Sequence, residues 1–296
     1  MDSKNAVNTA HSGGCGMLYL CATPIGNLGD MTARVAQTLA EVDMIAAEDT
    51  RVSLKLLNHL DIDTPLTSYH EHNKYDKADT LIAMMRQGKN IALVTDAGTP
   101  AISDPGEVLV RRCHEEGITV TSLPGPAACI TALTLSGLST RRFVFEGFLP
   151  YDKKERAEVL ESLKNEHRTV IIYEAPHHLK ATLEALRQTL GNRRVTICRE
   201  LTKKFETITP TTIEDAVAFY GHEEPRGEYV LVIEGKNLEE IKADRLRAWE
   251  DMSIEEHMDI YLSQGLERKE AMKKVASDRG VSKREIYQSL IVPEKT

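Results

Sequence analysis

Short apolar runs alternate with amphipathic segments from Met17 onward, and this alternation limits the possible folds more than any other feature of the sequence. The apolar runs have the length of buried strands and are MLYLCA (17–22), MIAA (44–47), IALVT (91–95) and ITVTSL (118–123). The segments between them have helical patterns and cover about 30–42, 52–60, 76–88 and 106–117. Strands that alternate with helices predict a mostly parallel sheet with helices on both faces.

The pattern changes after about residue 125, where the strand-like runs become longer. These runs are RFVFEGF (142–148), RTVIIYEA (168–175), RVTICREL (194–201), FETITP (205–210) and EYVLVIEG (228–235). We therefore expect two α/β domains, at 17–125 and 126–236, and then a charged linker or connecting helix at 237–252. Residues 1–16 are polar and glycine-rich and lack the apolar centre of a secretory signal, which predicts a disordered N-terminal segment, either native or appended.

Residues 253–292 predict a small helical module that resembles a helix-turn-helix. Ser253 with Glu256, and Ser282 with Glu285, have the spacing of capping boxes at helix starts. Residues 268–284 hold seven basic and two acidic side chains, a balance that favours contact with nucleic acid phosphates. The alternative is an ordinary solvated helical face. The candidate RNA contacts in this module are Lys273, Lys274, Lys283 and Arg284.

The composition excludes several classes of protein. No apolar stretch approaches the length of a membrane span, so we expect no membrane association. The five cysteines are scattered without a CxxC pair, which indicates neither a disulfide framework nor a cysteine zinc site and fits a reducing cytoplasm. The net charge of −8 argues against a protein that coats nucleic acid non-specifically.

Three loops rich in glycine and proline leave the predicted strand ends: TPIGNLGD (23–30), TDAGTPAISDPG (95–106) and PGPAA (124–128). Ligands of open α/β sheets bind beyond the carboxyl ends of strands, where such loops lie. None of the loops has a P-loop or a GxGxxG pattern, which argues against ATP and NAD as ligands.

The second loop carries two acids, Asp96 and Asp104, and no basic residue. Carboxylates repel a triphosphate but suit ribose hydroxyls and cationic groups. S-adenosylmethionine combines a nucleoside, a positive centre and an ammonium group, and it fits this loop better than a nucleotide does. The alternative is that both aspartates only cap turns and the helix that follows.

A longer set of motifs occurs in a fixed order along the chain. It comprises LYLCATPIGNLGD, AAEDTR, SYHEHN, VTDAGTPAISDPG, SLPGPAA, FEGFLP, YEAPHH, CRELTKKFE and PRGEYVLVIEG. With these motifs the chain resembles the bacterial 16S rRNA cytidine 2′-O-methyltransferases of the tetrapyrrole-methylase family, over about residues 17–236 and in the helical module. The resemblance implies a two-domain α/β class III methyltransferase, a homodimer, with S-adenosylmethionine in the interdomain cleft and a cytidine ribose of the decoding region as target.

The loops and the resemblance together give a set of candidate cofactor contacts. They are Pro24, Gly26, Asp96, Gly98, Ile102, Ser103, Asp104, Pro124, Gly125, Ala127, Phe148, Ala175, Pro176 and Gly227. Two alternatives stay open for the members from the second domain. Phe148 could be a plain core residue, and Ala175–Pro176 a simple turn from strand to helix.

The candidate catalytic residues come from two motifs that follow strands. AAEDTR supplies Glu48, Asp49 and Arg51, whose alternative role is a helix N-cap with an arginine paired to an acid. CRELTKKFE supplies Glu200 and Lys203, whose alternative is a charged hairpin turn. A base or a cation near the ribose hydroxyl would assist methyl transfer, and no metal is required.

Three further residues are candidate RNA contacts, namely His70 and Glu71 of SYHEHN and Arg199. His70 and His72 could bind a metal, but no third ligand stands at a suitable spacing. Two rival functions remain. One is a C-methyltransferase of a tetrapyrrole precursor, which would share the cofactor loops. The other is a ribosome-associated RNA-binding protein without catalysis, which would not need them.

Overall fold

The computed structural model describes residues 14–247, 249 and 252–291, and its first half contains a five-stranded parallel sheet. The strand order is β3-β2-β4-β1-β5, and every neighbouring pair is parallel, which confirms the predicted parallel sheet. The strands are β1 (Leu18–Cys21), β2 (Met44–Ala47), β3 (Leu66–Ser68), β4 (Ile91–Val94) and β5 (Val120–Leu123). The sequence analysis did not predict β3, because three residues with threonine and serine make no apolar run.

Four helices cover the two faces of this sheet: α1 (Ala33–Glu41), α2 (Thr50–His59), α3 (Lys74–Arg86) and α4 (Gly106–Glu115). Leu81 and Leu109, from α3 and α4, pack on one face, and Leu39 and Leu57, from α1 and α2, pack on the other. Because all five strands run the same way, their carboxyl ends and the loops that follow lie along one edge of the sheet.

The second half contains a mixed five-stranded sheet in the order β6-β7-β10-β8-β9. Its strands are β6 (Phe143–Phe148), β7 (Thr169–Glu174), β8 (Arg194–Arg199), β9 (Thr207–Thr212) and β10 (Tyr229–Ile233). Only β6 and β7 are parallel, and β10 lies antiparallel between β7 and β8. The helices of this half are α5 (Ala128–Leu135), α6 (Lys153–Leu163), α7 (Pro176–Leu190) and α8 (Ile213–His222). The α5 face of this sheet also buries Ile25 from the first half, which joins the two halves through one apolar cluster.

The C-terminal part is helical, with α9 (Leu238–Arg247), α10 (Ile254–Ser263), α11 (Arg268–Asp278) and α12 (Lys283–Ile291). Both predicted capping boxes form, at Ser253 and at Ser282. Met258, Val275 and Ile286 make a small core of their own. The proposed domain limits stay a prediction, and the predicted N-terminal segment lies outside the described residues except for residues 14–16. Among the helices of the described part, none is long and apolar enough to cross a membrane.

The ion pair of Glu166 with Arg168 stabilises the turn that leads into β7. Glu166 accepts hydrogen bonds from the Arg168 backbone N–H and, at 2.9 Å, from Arg168 Nε. The hydrogen bonds from the Arg168 side chain lower the pKa of Glu166 from its ordinary 4.5 to about 2. A carboxyl group whose pKa is lower in the folded than in the unfolded protein stabilises the fold at pH values above its unfolded pKa. This stabilisation is lost as the pH falls towards the folded pKa.

We therefore expect Glu166→Gln to lower the free energy of unfolding by about 1 kcal/mol at neutral pH. The difference from the wild type should shrink as the pH falls from about 4.5 to about 2. Urea titrations at several pH values would measure it. Glu184→Gln removes an exposed pair with Arg187 and is the matched control, with a smaller expected loss. A difference for Glu166→Gln that stays constant down to pH 2 would contradict the assignment.

Candidate active site

A cavity of about 480 Å³ lies between the carboxyl edge of the first sheet and the second sheet. Its first wall comes from Ile25 after β1, Glu48 after β2 and the loop 95–104 after β4, and Ala127 and Ala128 line it at the junction of the two halves. Its second wall comes from the second half of the chain. The residues of that wall are Phe148, Tyr173, Glu174, Ala175, Pro176, Cys198, Leu201, Glu228, Tyr229 and Val230. The volume lies in the range of small-molecule sites.

Asp104 stabilises the loop after β4 through hydrogen bonds to its backbone. Its Oδ1 accepts the backbone N–H groups of Ala101 at 3.0 Å and Gly106 at 2.8 Å, and its Oδ2 accepts that of Ile102. Burial of Asp104 raises its pKa, against the effect of these hydrogen bonds. The carboxylate thus caps the turn, as the alternative interpretation held, and it also lines the cavity.

Asp96 and Glu48 extend the acidic character of this wall. Asp96 Oδ1 accepts the backbone N–H of Asp49 at 3.0 Å, and Glu48 Oε2 accepts the hydroxyl of Thr95 at 2.7 Å. Burial raises the pKa of Asp96, and the nearby charge of Glu48 adds to the rise.

The charge of the whole cavity lining is one-sided. Within the described residues, the lining contains five carboxylates and no lysine, arginine or histidine. The five are Glu48, Asp96, Asp104, Glu174 and Glu228. Such a lining attracts a cation and repels phosphate groups.

The second wall supplies apolar and aromatic surface beside these acids. The rings of Phe148 and Tyr173 meet edge to face with centroids 5.5 Å apart, and Phe148 is 56% exposed. Phe148 is therefore not a plain core residue. The Tyr173 hydroxyl accepts the backbone N–H of Cys129 at 2.9 Å, which fixes α5 against β7.

Glycines let the loops of the two halves approach closely. Gly98 has a φ of +90°, pairs with Thr23 through two backbone hydrogen bonds, and leaves only 3.3 Å between an added Cβ and the Ile25 side chain. An added Cβ at Gly26 would lie 2.3 Å from Cγ of Lys203. The first loop of the chain therefore lies directly against the CRELTKKFE loop.

Among the described residues, four of the five non-glycine residues with a left-handed backbone lie in two loops at the junction, and the fifth, Asp61, follows α2. Ala101 and Ser103 have φ values of 66° and 63°, and Glu200 and Thr202 have φ values of 51° and 65°. Such torsions cost L-residues about 1–2 kcal/mol each and persist where the surroundings enforce them. They concentrate at the border of the cavity, a distribution typical of functional sites.

The candidate catalytic residues divide between the cavity and its surroundings. Glu48 lines the cavity. Asp49 caps α2, accepting the Arg51 N–H at 2.8 Å, and also pairs with the Arg51 guanidinium. The structure thus shows the helix-cap arrangement for these two residues. Hydrogen bonds from Arg51 lower the pKa of Asp49 to about 2, so Asp49 is a weak proton acceptor.

Glu200 and Lys203 form a network with Glu228 at the second wall. Lys203 Nζ lies 2.9 Å from Glu200 Oε1 and 2.7 Å from Glu228 Oε2. Burial lowers the pKa of Lys203, but the hydrogen bonds to Glu228 and Glu200 outweigh it and raise the pKa overall. For Glu200, burial raises the pKa, and the Glu228 N–H and Lys203 outweigh that effect and lower it overall. Both side chains are therefore held in their charged forms at neutral pH.

The remaining cofactor candidates occupy three places. Gly98, Ile102, Ser103, Ala127, Ala175 and Pro176 line the cavity together with Asp96, Asp104 and Phe148. Pro24 and Gly26 line a second cavity next to it. Pro124, Gly125 and Gly227 line neither cavity, and Gly125 permits close packing on Ala22 and Gly227 on the Glu200 side chain.

The second cavity has a volume of about 450 Å³ and lies between α2 and the loop that follows β1. Its lining includes Thr95 and Asp96, which also line the first cavity. Its other lining residues are Thr23, Pro24, Gly26, Leu28, Val52, Ser53, Lys55, Leu56 and His59. The sequence analysis assigned no role to the α2 residues beyond Arg51.

The candidate RNA contacts lie outside both cavities as the structure describes them. Glu71 pairs with Lys74, and Arg199 Nε donates to the Arg226 carbonyl at 2.7 Å. Nδ1 of His70 is buried and has no hydrogen-bond partner among the described residues. The four candidate side chains of the helical module, at 273, 274, 283 and 284, are exposed.

Several cavity residues were missed by the sequence analysis, notably Thr95, Tyr173, Glu174 and Glu228. Glu174 accepts the backbone N–H of Ala175 at 2.8 Å and the hydroxyl of Thr182. Its position inside YEAPHH was the one available indication of a role. For metals, residues 14–247, 249 and 252–291 contain no group of three or more His, Cys, Asp or Glu that could hold an ion.

Solved structures share this fold. A uroporphyrin-III-C-methyltransferase from Thermus thermophilus superposes with a TM-score of 0.52 at 18% identity, covering 73% of this chain and 94% of that one. A cobalt precorrin-4 methyltransferase gives 0.53 at 19% identity with the same coverage. The predicted fold class, a two-domain class III methyltransferase fold with a helical C-terminal part, is confirmed.

The sequence model of the tetrapyrrole (corrin/porphyrin) methylases matches residues 17–217. The chain belongs to this family and is a methyltransferase. It is similar to proteins named ribosomal RNA small subunit methyltransferase I in several bacteria. That of Halalkalibacterium halodurans is 52% identical over 92% of this chain and 93% of its own length. Those of Bacillus subtilis and Escherichia coli O157:H7 are 48% and 45% identical, over 93% and 92% of this chain and 94% of their own lengths.

Proposed function

We propose that the protein transfers a methyl group from S-adenosylmethionine to the ribose 2′-oxygen of a cytidine in the decoding region of 16S rRNA. The observation that carries the proposal is the cavity with five carboxylates and an aromatic wall, in a chain up to 52% identical to proteins named as small-subunit rRNA methyltransferases. The cytidine and its 2′-oxygen follow from the family resemblance.

The lining of the first cavity fits S-adenosylmethionine in its chemistry. A sulfonium and an ammonium group match the carboxylates of Asp96, Asp104 and Glu48. An adenine ring matches the apolar surface of Phe148 and Pro176. When bound, the cofactor supplies an electrophilic methyl group on a positively charged sulfur.

The residues of the chain would then align the acceptor and take up its proton. Methyl transfer needs the acceptor oxygen in line with the methyl carbon and the sulfur, which is a matter of positioning. Glu48 is the candidate catalytic residue that lines the cavity, and its carboxylate is the proposed proton acceptor. Glu200 and Lys203 hold Glu228 and the first loop in place, and Arg51 offers a cation beside the site.

The exposed basic side chains of α11 and α12 would contact rRNA phosphates outside the cavity, together with His70 and Arg199. A homodimer and a cytoplasmic location follow from the family resemblance and from the ribosomal substrate.

Methylation mapping tests the function directly. Small-subunit RNA from cells with and without the gene is mapped for ribose methylation, and the purified protein is then given S-adenosylmethionine and unmethylated small subunits. We expect one 2′-O-methyl cytidine to disappear in the deletion strain and to return in the reconstituted reaction. Persistence of every mark would refute the RNA assignment. Failure to bind S-adenosylmethionine in calorimetry would favour a non-catalytic RNA-binding protein instead.

A further inference from the structure

The second cavity differs from the first in charge, because among the described residues its lining contains Lys55 and His59 besides the single carboxylate of Asp96. We propose that it holds the acceptor nucleoside of a single-stranded ribonucleotide segment and that α2 contacts the phosphates that flank it. This inference rests on the proposed function, because it takes the first cavity as the cofactor site.

The two cavities are neighbours, as methyl transfer between their ligands requires. Thr95 and Asp96 line both cavities, so the two cavities adjoin at these residues. Thr95 is held on both sides, because its carbonyl accepts the Thr23 hydroxyl and its own hydroxyl donates to Glu48. Methyl transfer needs direct contact between the acceptor oxygen and the methyl carbon, so the two ligands would meet where the cavities adjoin, beside the Glu48 carboxylate that is hydrogen-bonded to Thr95.

A basic stripe on α2 identifies the charge of the occupant. Arg51, Lys55 and His59 are spaced four residues apart, which puts them along one face of the helix, and the helix contains no acidic residue. Lys55 and His59 line the second cavity, where the one carboxylate is Asp96. The Arg51 side chain is 87% exposed at the start of this stripe, paired with Asp49. In a chain with a net charge of −8, such a stripe favours phosphate binding.

Apolar side chains in the same cavity suit the base. Leu28 and Val52 are 49% and 41% exposed and line the cavity together with Leu56. Exposed apolar side chains provide a surface on which the face of a nucleobase packs. A cavity with apolar walls and basic groups at α2 thus matches a nucleotide, whereas the first cavity, whose charged lining residues in the described part are all acidic, repels phosphate groups.

A pair of bulky substitutions on α2 tests the location. Val52→Trp fills the second cavity, whereas Leu54→Trp is on the same helix, at a residue 49% exposed that lines neither cavity. We expect Val52→Trp to lower kcat/KM for small-subunit RNA by about 100-fold, because the acceptor oxygen loses its alignment. The Kd for S-adenosylmethionine should stay within about twofold of the wild-type value, and Leu54→Trp should change neither quantity.

A charge substitution tests the phosphate contact independently of packing. Lys55→Ala should weaken RNA binding for all sequences and reduce the slope of log K against log salt by about one. The control is Lys89→Ala, which removes a lysine at the amino end of β4, on the opposite edge of the sheet. Its salt slope should equal that of the wild type.

The outcomes separate this inference from the proposed function. A Val52→Trp variant as active as Leu54→Trp, or an unchanged salt slope in Lys55→Ala, would overturn the acceptor-site assignment and leave the methyltransferase proposal intact. A wild-type protein that binds no S-adenosylmethionine would overturn the proposed function itself. If Val52→Trp lost its cooperative unfolding transition, the salt slope of Lys55→Ala would decide.

Discussion

Gly98→Val is expected to weaken S-adenosylmethionine binding by at least about 100-fold, a loss of about 3 kcal/mol. Gly98 lines the first cavity with a φ of +90°, a conformation that a β-branched residue adopts only under strain. The new Cβ would also lie 3.3 Å from the Ile25 side chain, which is closer than an ordinary van der Waals contact. The loop would have to break its two backbone hydrogen bonds with Thr23, and the carboxylates of Asp96 and Asp104 would move with it.

The control for this prediction separates strain from location. Gly117 has a φ of +67° at the end of α4, and nothing lies within 4 Å of an added Cβ there. Gly117→Val should therefore lose stability in thermal unfolding without a change in cofactor Kd. Calorimetry on both variants gives the comparison, and equal cofactor affinities in the two would show that Gly98 does not border the cofactor.

Asp104→Ala is expected to have an effect of similar size. The substitution leaves the N–H groups of Ala101, Ile102 and Gly106 without their acceptor and removes one of five cavity carboxylates. Each unsatisfied buried donor costs about 1–3 kcal/mol, and the loop can recover part of this only by changing shape. We expect cofactor affinity to fall about 100-fold, as measured by calorimetry.

Two further variants separate the loss of charge from general destabilisation. Asp104→Asn keeps one acceptor oxygen but not the charge, so its affinity should lie between those of the wild type and Asp104→Ala. Asp152→Ala removes a carboxylate that accepts the N–H groups of Lys154 and Glu155 at the start of α6. It should cost about 1 kcal/mol of stability with no change in cofactor affinity. A loss of affinity in Asp152→Ala as large as that in Asp104→Ala would show that general destabilisation explains both.

The first half of the fold could be predicted because local sequence and tertiary structure agree there. Apolar runs buried on both faces make the strands, and periodic segments make the helices that cover them. The start of α1 was less predictable. The pattern predicted a helix from about residue 30, but Asp30 ends a short 3-10 turn at Leu28–Asp30, and Thr32 caps the helix by accepting the Val35 N–H.

The second wall of the cavity could not be predicted because it depends on the pairing of strands distant in sequence. Glu174 and Glu228 stand at or next to ends of β7 and β10, and the antiparallel register Tyr229 with Glu174 brings them to the same edge. Strand patterns indicate which side chains alternate, but they do not indicate which strands become neighbours. The second cavity was not predicted either, because α2 has the pattern of an ordinary amphipathic helix and the pattern does not indicate which loops lie beside it.

The left-handed residues at the cleft have a consequence for resistance to heat. At Ala101 a glycine would relieve about 1–2 kcal/mol of torsional strain, somewhat more than the ~0.4–1 kcal/mol that its extra freedom adds to the unfolded chain. At Glu200 it would also remove the carboxylate that pairs with Lys203, so no such gain is expected there. The glycine at position 101 would let the loop sample many shapes before a ligand arrives, and ligand binding would then have to restrict them. Selection for survival at high temperature alone would thus favour a glycine at position 101, with greater stability and lower affinity for the ligand.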